Sequence, residues 1–106
     1  MPMPTFDMDH DAARRRYTLL VDGRPSSFAE YLPSGDGTTM VFHHTVTPTS
    51  DRGQGYAAEL VRRALDDVRA AGRTVVATCW YVDQFIADHP EYQDLVSGTG
   101  RVGRRG

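Results

Sequence analysis

The chain first changes hydrophobic period across six residues, Arg52-Gly53-Gln54-Gly55-Tyr56-Ala57. Before them, residues 38–46 are rich in β-branched and aromatic side chains and read as a strand. After them, Ala57, Val61, Ala64, Leu65 and Val68 recur at helical spacing, with Arg62, Arg63, Asp66, Asp67 and Arg69 on the other side. A strand end, a glycine turn and a helix start must therefore meet at one point. Gly53 and Gly55 carry no Cβ, so the backbone there can take turns closed to other residues and come close to a ligand. The first N–H groups of the helix have no internal acceptor and sit at the positive end of its dipole. That geometry suits an anion such as a pyrophosphate.

Around this point the remaining elements follow from turn signals. Residues 16–21 form a short apolar strand, Asp22-Gly23 a hairpin turn and residues 27–32 a second strand. A Pro-Ser-Gly-Asp-Gly turn leads into the third strand. Residues 5–10 can add an edge strand. Gly72 stops the crossover helix, which runs from Gly55 to residue 71. Residues 73–78 then return as a buried strand parallel to the third. Residues 81–88 read as helix with Val82, Phe85 and Ile86 on one side. Pro90 ends it, and residues 91–96 form a last apolar turn. The expected fold class is α/β with a mixed sheet: antiparallel strands first, then a parallel β-α-β unit. Residues 5–96 are expected to form one domain and residues 97–106 a disordered glycine and arginine tail.

Composition excludes several classes. A net charge of −2 and a pI near 6.0 argue against a general nucleic-acid binder. No apolar run has the length of a membrane span, and the segment after Met1-Pro2-Met3-Pro4 is charged where a signal peptide would be apolar. A cytoplasmic protein without membrane contact is expected. The single cysteine, Cys79, permits no internal disulfide and no paired zinc-ligand spacing. All 12 basic residues are arginine.

Ligands of open α/β sheets bind outside the carboxyl ends of the strands. Here that edge gathers His43 or His44, the glycine loop and Cys79. Neighbouring strand residues face opposite sides, so only one of the two histidines is expected to point into a given cleft.

The segment HTVTPTSDRGQGYAAELVRRAL resembles the signature of the GNAT N-acetyltransferase superfamily, whose cofactor loop reads [Q/R]-x-x-G-x-[G/A]. Arg52, Gly55 and Ala57 fill its fixed positions. From about Arg14 to Val96 the chain is similar to the minimal single-domain GNAT-like acetyltransferases. The matching elements are YTL, Asp22-Gly23, His44-Thr45-Val46-Thr47-Pro48, the glycine loop, Cys79-Trp80-Tyr81 and His89-Pro90-Glu91-Tyr92. Thr47 is an insertion between the valine and the proline of that pattern.

The resemblance implies acetyl transfer from acetyl-CoA to an amine acceptor, protein or small molecule, without a metal. It implies cofactor contacts at Val46, Arg52, Gly53, Gln54, Gly55, Tyr56 and Ala57, with the pantetheine arm between two parallel strands that splay apart. It implies His44 and Cys79 as catalytic residues. His44 would serve as base for direct attack by the amine, or Cys79 would take the acetyl group first and pass it on. Arg14-Arg15-Arg16 can meet the 3′-phosphate of the cofactor or form a solvated face. Trp80, Tyr81 and Tyr92 either line the cleft or pack the core. Two other readings are a binding module without catalysis and a metal protein built on His43 or His44, Cys79 and His89.

Overall fold

The computed structural model describes residues 3–34 and 37–96. The expected tail at residues 97–106 lies outside the described residues. Five strands form one sheet in sequence order: β1 (Phe6–Asp11), β2 (Arg16–Val21), β3 (Arg24–Ser34), β4 (Thr39–Val46) and β5 (Thr74–Ala77). The first four are antiparallel neighbours, and β5 runs parallel to β4 after the crossover helix α1 (Tyr56–Ala70). A second helix, α2 (Trp80–Asp88), follows β5, and a 3₁₀ segment at Pro90–Leu95 follows it. The edge strand expected near the N-terminus is therefore formed. β3 is longer at both ends than its apolar run, because the Asp22-Gly23 turn is tight: Asp22 and Gly23 both take positive φ, and Arg24 already pairs with Val21.

Both helices pack on one face of the sheet. Alternation along β2 buries Tyr17, Leu19 and Val21. Ala29 and Tyr31 on β3, Met40 and Phe42 on β4 and Val75 on β5 bury on the same side. They meet Leu60, Val61, Ala64, Leu65 and Val68 of α1 and Val82, Phe85 and Ile86 of α2. Ala57, expected on this apolar stripe, lies one turn too early and borders a cleft instead; Leu60 takes its place in the core.

Polar bonds join the layers. Tyr17 Oη donates to Asp67 at 2.7 Å and Tyr92 Oη to Asp66 at 2.8 Å, so both hydroxyls are satisfied from the flank of α1. Burial raises the Tyr92 phenol to about 12, helped by the bond to Asp66. Burial and then the Asp67 bond raise Tyr17 further.

Among the described residues the opposite face of the sheet carries no helix. Asp7, Asp9 and Asp11 of β1 lie on it by alternation with Phe6 and Met8, which pack against the core. Arg16 bonds Glu30 at 2.7 Å on this face, its guanidinium 4.4 Å from the Phe28 ring centroid. Among the described residues no helix is long and apolar enough to cross a membrane.

Candidate functional site: a gap between parallel strands

β4 and β5 stay paired only from Thr39↔Thr74 to Phe42↔Ala77. There the ladder ends: the backbone N–H groups of Thr78 (2.9 Å) and Cys79 (3.0 Å) both donate to the Phe42 carbonyl. Two successive donors on one acceptor turn β5 away into α2, while β4 continues to Val46 against β3. Past Phe42 the side of β4 that had faced β5 has lost its strand partner. The splay implied by the resemblance is present.

A bulge begins at the same place. Glu30 pairs with His44 and the next residue, Tyr31, with Phe42, so His43 is an extra residue in β4. Such an insertion bends the strand and sharpens its twist. It also overturns the expectation that only one histidine can face a given side. Phe42 and Thr45 both belong to the helix-covered side, since Phe42 is buried and Thr45 pairs with buried Ala29. Two residues, His43 and His44, fill the single step between them, and both are exposed.

The glycine loop closes one end of the gap. Pro48 opens a single 3₁₀ turn at Thr49–Asp51, tied down by Ser26 Oγ donating to Asp51 at 2.8 Å. Arg52 Nε donates back to the Thr47 carbonyl at 3.2 Å, which leaves the terminal guanidinium nitrogens to meet an anion. Gly53 and Gly55 lie at φ +81° and +78°, in the left-handed region where a side chain is strained. Gly55 is the N-cap of α1, and no side chain caps the helix start. The first-turn N–H groups are thus free for an acceptor from outside.

Glu59, also in the first turn, does not compete for that role. Burial alone would push its carboxyl up, but hydrogen bonds from Arg63 and Arg62, both at 2.6 Å, outweigh this and hold it below the ordinary carboxylate range. Its charge is engaged by two arginines of α1 itself.

A cleft of about 400 Å³ joins these parts, lined by Thr45, Thr47, Asp51, Arg52, Gly53, Gly55, Tyr56, Ala57 and Tyr81. Tyr81 stands in the first turn of α2, and burial raises its phenol above the ordinary tyrosine value. It therefore keeps its proton near neutrality. Tyr81 was legible from sequence only as one of three aromatics that line the cleft or pack the core. The structure separates them: Tyr92 is buried against α1, Trp80 is exposed and Tyr81 borders the cleft. Thr45 and Thr47 had no distinguishing signal.

The two expected catalytic side chains lie on different faces. Cys79 is half-buried, and its thiol donates to the Thr45 hydroxyl at 3.4 Å on the helix side. His44 pairs with Glu30, and its ring lies 6.2 Å from that of Phe28 on the open side. Arg14 and Arg16 belong to the open side, paired with Asp11 and Glu30, away from the glycine loop. His89 ends α2, where its ring nitrogen Nδ1 meets the Phe85 carbonyl at 2.7 Å. Among the described residues no group of three or more His, Cys, Asp or Glu is arranged to hold a metal ion.

The profile of the family described as GCN5-related N-acetyl-transferase matches residues 16–95. The chain is 34% identical over 92 residues to protein NATD1 of Bos taurus, covering 83% of this chain and 78% of that protein. It is 29% identical over 97 residues to protein NATD1 of Xenopus tropicalis, covering 89% and 86%. Among solved structures, a GCN5-like protein of Staphylococcus aureus superposes with a TM-score of 0.61 at 16% identity, covering 87% of this chain and 88% of that one. An N-acetylglutamate synthase of Neisseria gonorrhoeae, solved with coenzyme A and N-acetyl-glutamate, gives a TM-score of 0.55 at 16% identity over 70% of this chain and 18% of its own. With that profile spanning residues 16–95 and NATD1 of Bos taurus 34% identical over most of both chains, the chain belongs to the GCN5-related N-acetyltransferase family.

Proposed function

We propose that the protein transfers an acetyl group from acetyl-CoA to an amine. The observation that carries this reading is the coincidence of the β4–β5 gap with the uncapped, glycine-opened start of α1 along one cleft. A pyrophosphate on the N–H groups from Gly53 to Ala57, beside Arg52, directs the pantetheine arm along Val46 and Thr45 into the gap. The cofactor bound to the Neisseria gonorrhoeae synthase fits the same expectation.

The two faces of the gap then have different tasks. The thioester enters from the helix side, beside Thr45, Cys79 and Tyr81. The amine approaches from the open side, where His44 accepts its proton directly or through water. The amine nitrogen bonds to the thioester carbonyl carbon, and a backbone N–H of β4 past Phe42 stabilises the oxyanion. Collapse breaks the C–S bond, and the Tyr81 hydroxyl protonates the departing thiolate. In the covalent variant the Cys79 sulfur attacks the thioester carbon first, the C–S bond to CoA breaks and CoA leaves with the proton given up by Cys79; the amine then attacks the acetyl-cysteine from the other side, His44 takes the amine proton and the Cys79 thiolate is released.

Release of free CoA thiol across a panel of primary amines and basic peptides tests the reaction. Turnover with at least one amine, lost in His44→Ala and reduced in Tyr81→Phe, is the expected result. Intact mass after incubation with acetyl-CoA separates the routes: an added acetyl group that Cys79→Ser removes marks the covalent one. Acetyl-CoA binding with neither turnover nor adduct would instead describe a binding module of the same fold.

A further inference from the structure

The described residues bury two small hydroxyl side chains, Ser26 and Ser27, which are neighbours near the start of β3. Successive strand residues face opposite sides, so Ser27 lies on the helix side with Ala29 and Tyr31, and Ser26 on the open side with Phe28 and Glu30. Each holds one end of the segment that joins β4 to the glycine loop. Ser26 Oγ donates to Asp51 at 2.8 Å, and the hydroxyls of Ser27 and Thr47 share a hydrogen bond of 3.0 Å. Residues 47–51 are thus pinned from both faces of one strand.

A fully buried hydroxyl has given up its water and costs stability unless a protein partner restores the bond. Ser27 is 0% exposed, and Thr47 is its side-chain partner. Thr47 in turn orients Arg52, whose Nε donates to the Thr47 carbonyl at 3.2 Å; both residues line the glycine-loop cleft. An exposed arginine samples many rotamers and must give them up when it binds an anion. A guanidinium already held through Nε presents its two terminal nitrogens as a fixed fork. Ser27, Thr47 and Arg52 therefore form one chain of bonds from the buried side of β3 to the anion end of the cleft.

We infer that Ser27 and Thr47 are positioning residues that hold the Arg52 guanidinium ready for the pyrophosphate of the acetyl donor. The inference rests on the acetyl-CoA reading, because Arg52 needs an anion beside the glycine loop. It adds that part of the donor affinity is set by Ser27, a side chain too deeply buried to touch the ligand.

Acetyl-CoA affinities measured by calorimetry on the wild type, Ser27→Ala, Thr47→Val, Arg52→Ala and the pairwise combinations test it. Thr47→Val keeps the shape of the side chain and removes only the hydroxyl. Arg52→Ala is expected to bind about tenfold or more weaker, the scale of a charged hydrogen bond. Ser27→Ala and Thr47→Val are each expected to lose roughly three- to tenfold, the scale of one neutral bond. Combined, they should lose no more than either alone, since both break the same bond. Added to Arg52→Ala, neither should weaken binding further, because residues acting through Arg52 have nothing left to position. Thr47→Ser, which keeps the hydroxyl, should bind as the wild type does. If Ser27→Ala does not fold, Thr47→Val at the cleft margin carries the test. Unchanged affinity in Thr47→Val, or a loss that persists undiminished on top of Arg52→Ala, overturns the inference and leaves the acetyl-CoA reading standing. A folded wild type that does not bind acetyl-CoA overturns the two together.

Discussion

At the scale of single residues, the loop depends on backbone conformation more than on side chains. A Cβ on Gly55 would meet nothing within 4 Å, so the room beside it is open and the constraint is its φ of +78°. Gly72 has almost the same constraint, φ +72°, at the far end of α1. The pair gives a controlled prediction. Gly55→Val and Gly72→Val should lose similar stability, of order 1–2 kcal/mol or more for a branched side chain in the left-handed region. Only Gly55→Val should also lose acetyl-CoA binding by calorimetry, because its side chain occupies the path of the pyrophosphate. Tyr92 makes a pH prediction. Its pKa is raised from the ordinary 10.0 to about 12, so the folded state holds that proton more tightly than the unfolded one. The stability this represents is complete below pH 10 and is lost as pH rises through about 12. Tyr17, raised in the same direction, extends the loss upward. Denaturant midpoints measured from pH 9 to 12 should fall, and Tyr92→Phe should be less stable at pH 9 yet flatter across that range.

At the scale of elements, the gap and the bulge start at one residue, Phe42, and we attribute the first partly to the second. Deleting His43 should restore an even β3–β4 ladder, straighten β4 and keep it beside β5. His44 and Thr45 would keep their faces, so the fold should survive. Acetyl-CoA affinity should drop at least tenfold, and the amides of Thr45 and Val46 should gain protection in hydrogen exchange. Unchanged affinity in a folded deletion variant would separate the bulge from the gap. This is also where sequence stops being informative. The hairpin at Asp22-Gly23, the helix start at Gly55 and its stop at Gly72 were legible because each needs a residue type that few others can replace. A bulge at His43 needs no particular residue, and His43-His44-Thr45 reads equally well as even alternation. The faces of His44 and Cys79 depend on that one inserted residue and on the parting of β4 and β5, both set by tertiary pairing. Cys79 and His44 could be named from the resemblance; that they lie on different faces could not.

At the scale of the whole molecule, a single layer of helices covers one face of the sheet, and the other carries no helix among the described residues and presents Asp7, Asp9, Asp11, Arg16, Glu30 and His44. The described residues share one core, which lies between the sheet and α1, α2 and the final 3₁₀ segment. On the proposed reading the donor lies against this layer, while the acceptor approaches across the face that no described helix covers, so the cofactor should contribute strongly to stability and the acceptor little. The most direct test of the account is a thermal-shift titration with acetyl-CoA, with NADH and ATP as controls for general nucleotide affinity. At a hundred times its dissociation constant a ligand adds ~2.7 kcal/mol, roughly a 10 to 20 °C rise for a domain of this size. A rise of that order with acetyl-CoA, and little with the controls, is the predicted result; an unmoved melting temperature at millimolar acetyl-CoA would contradict it.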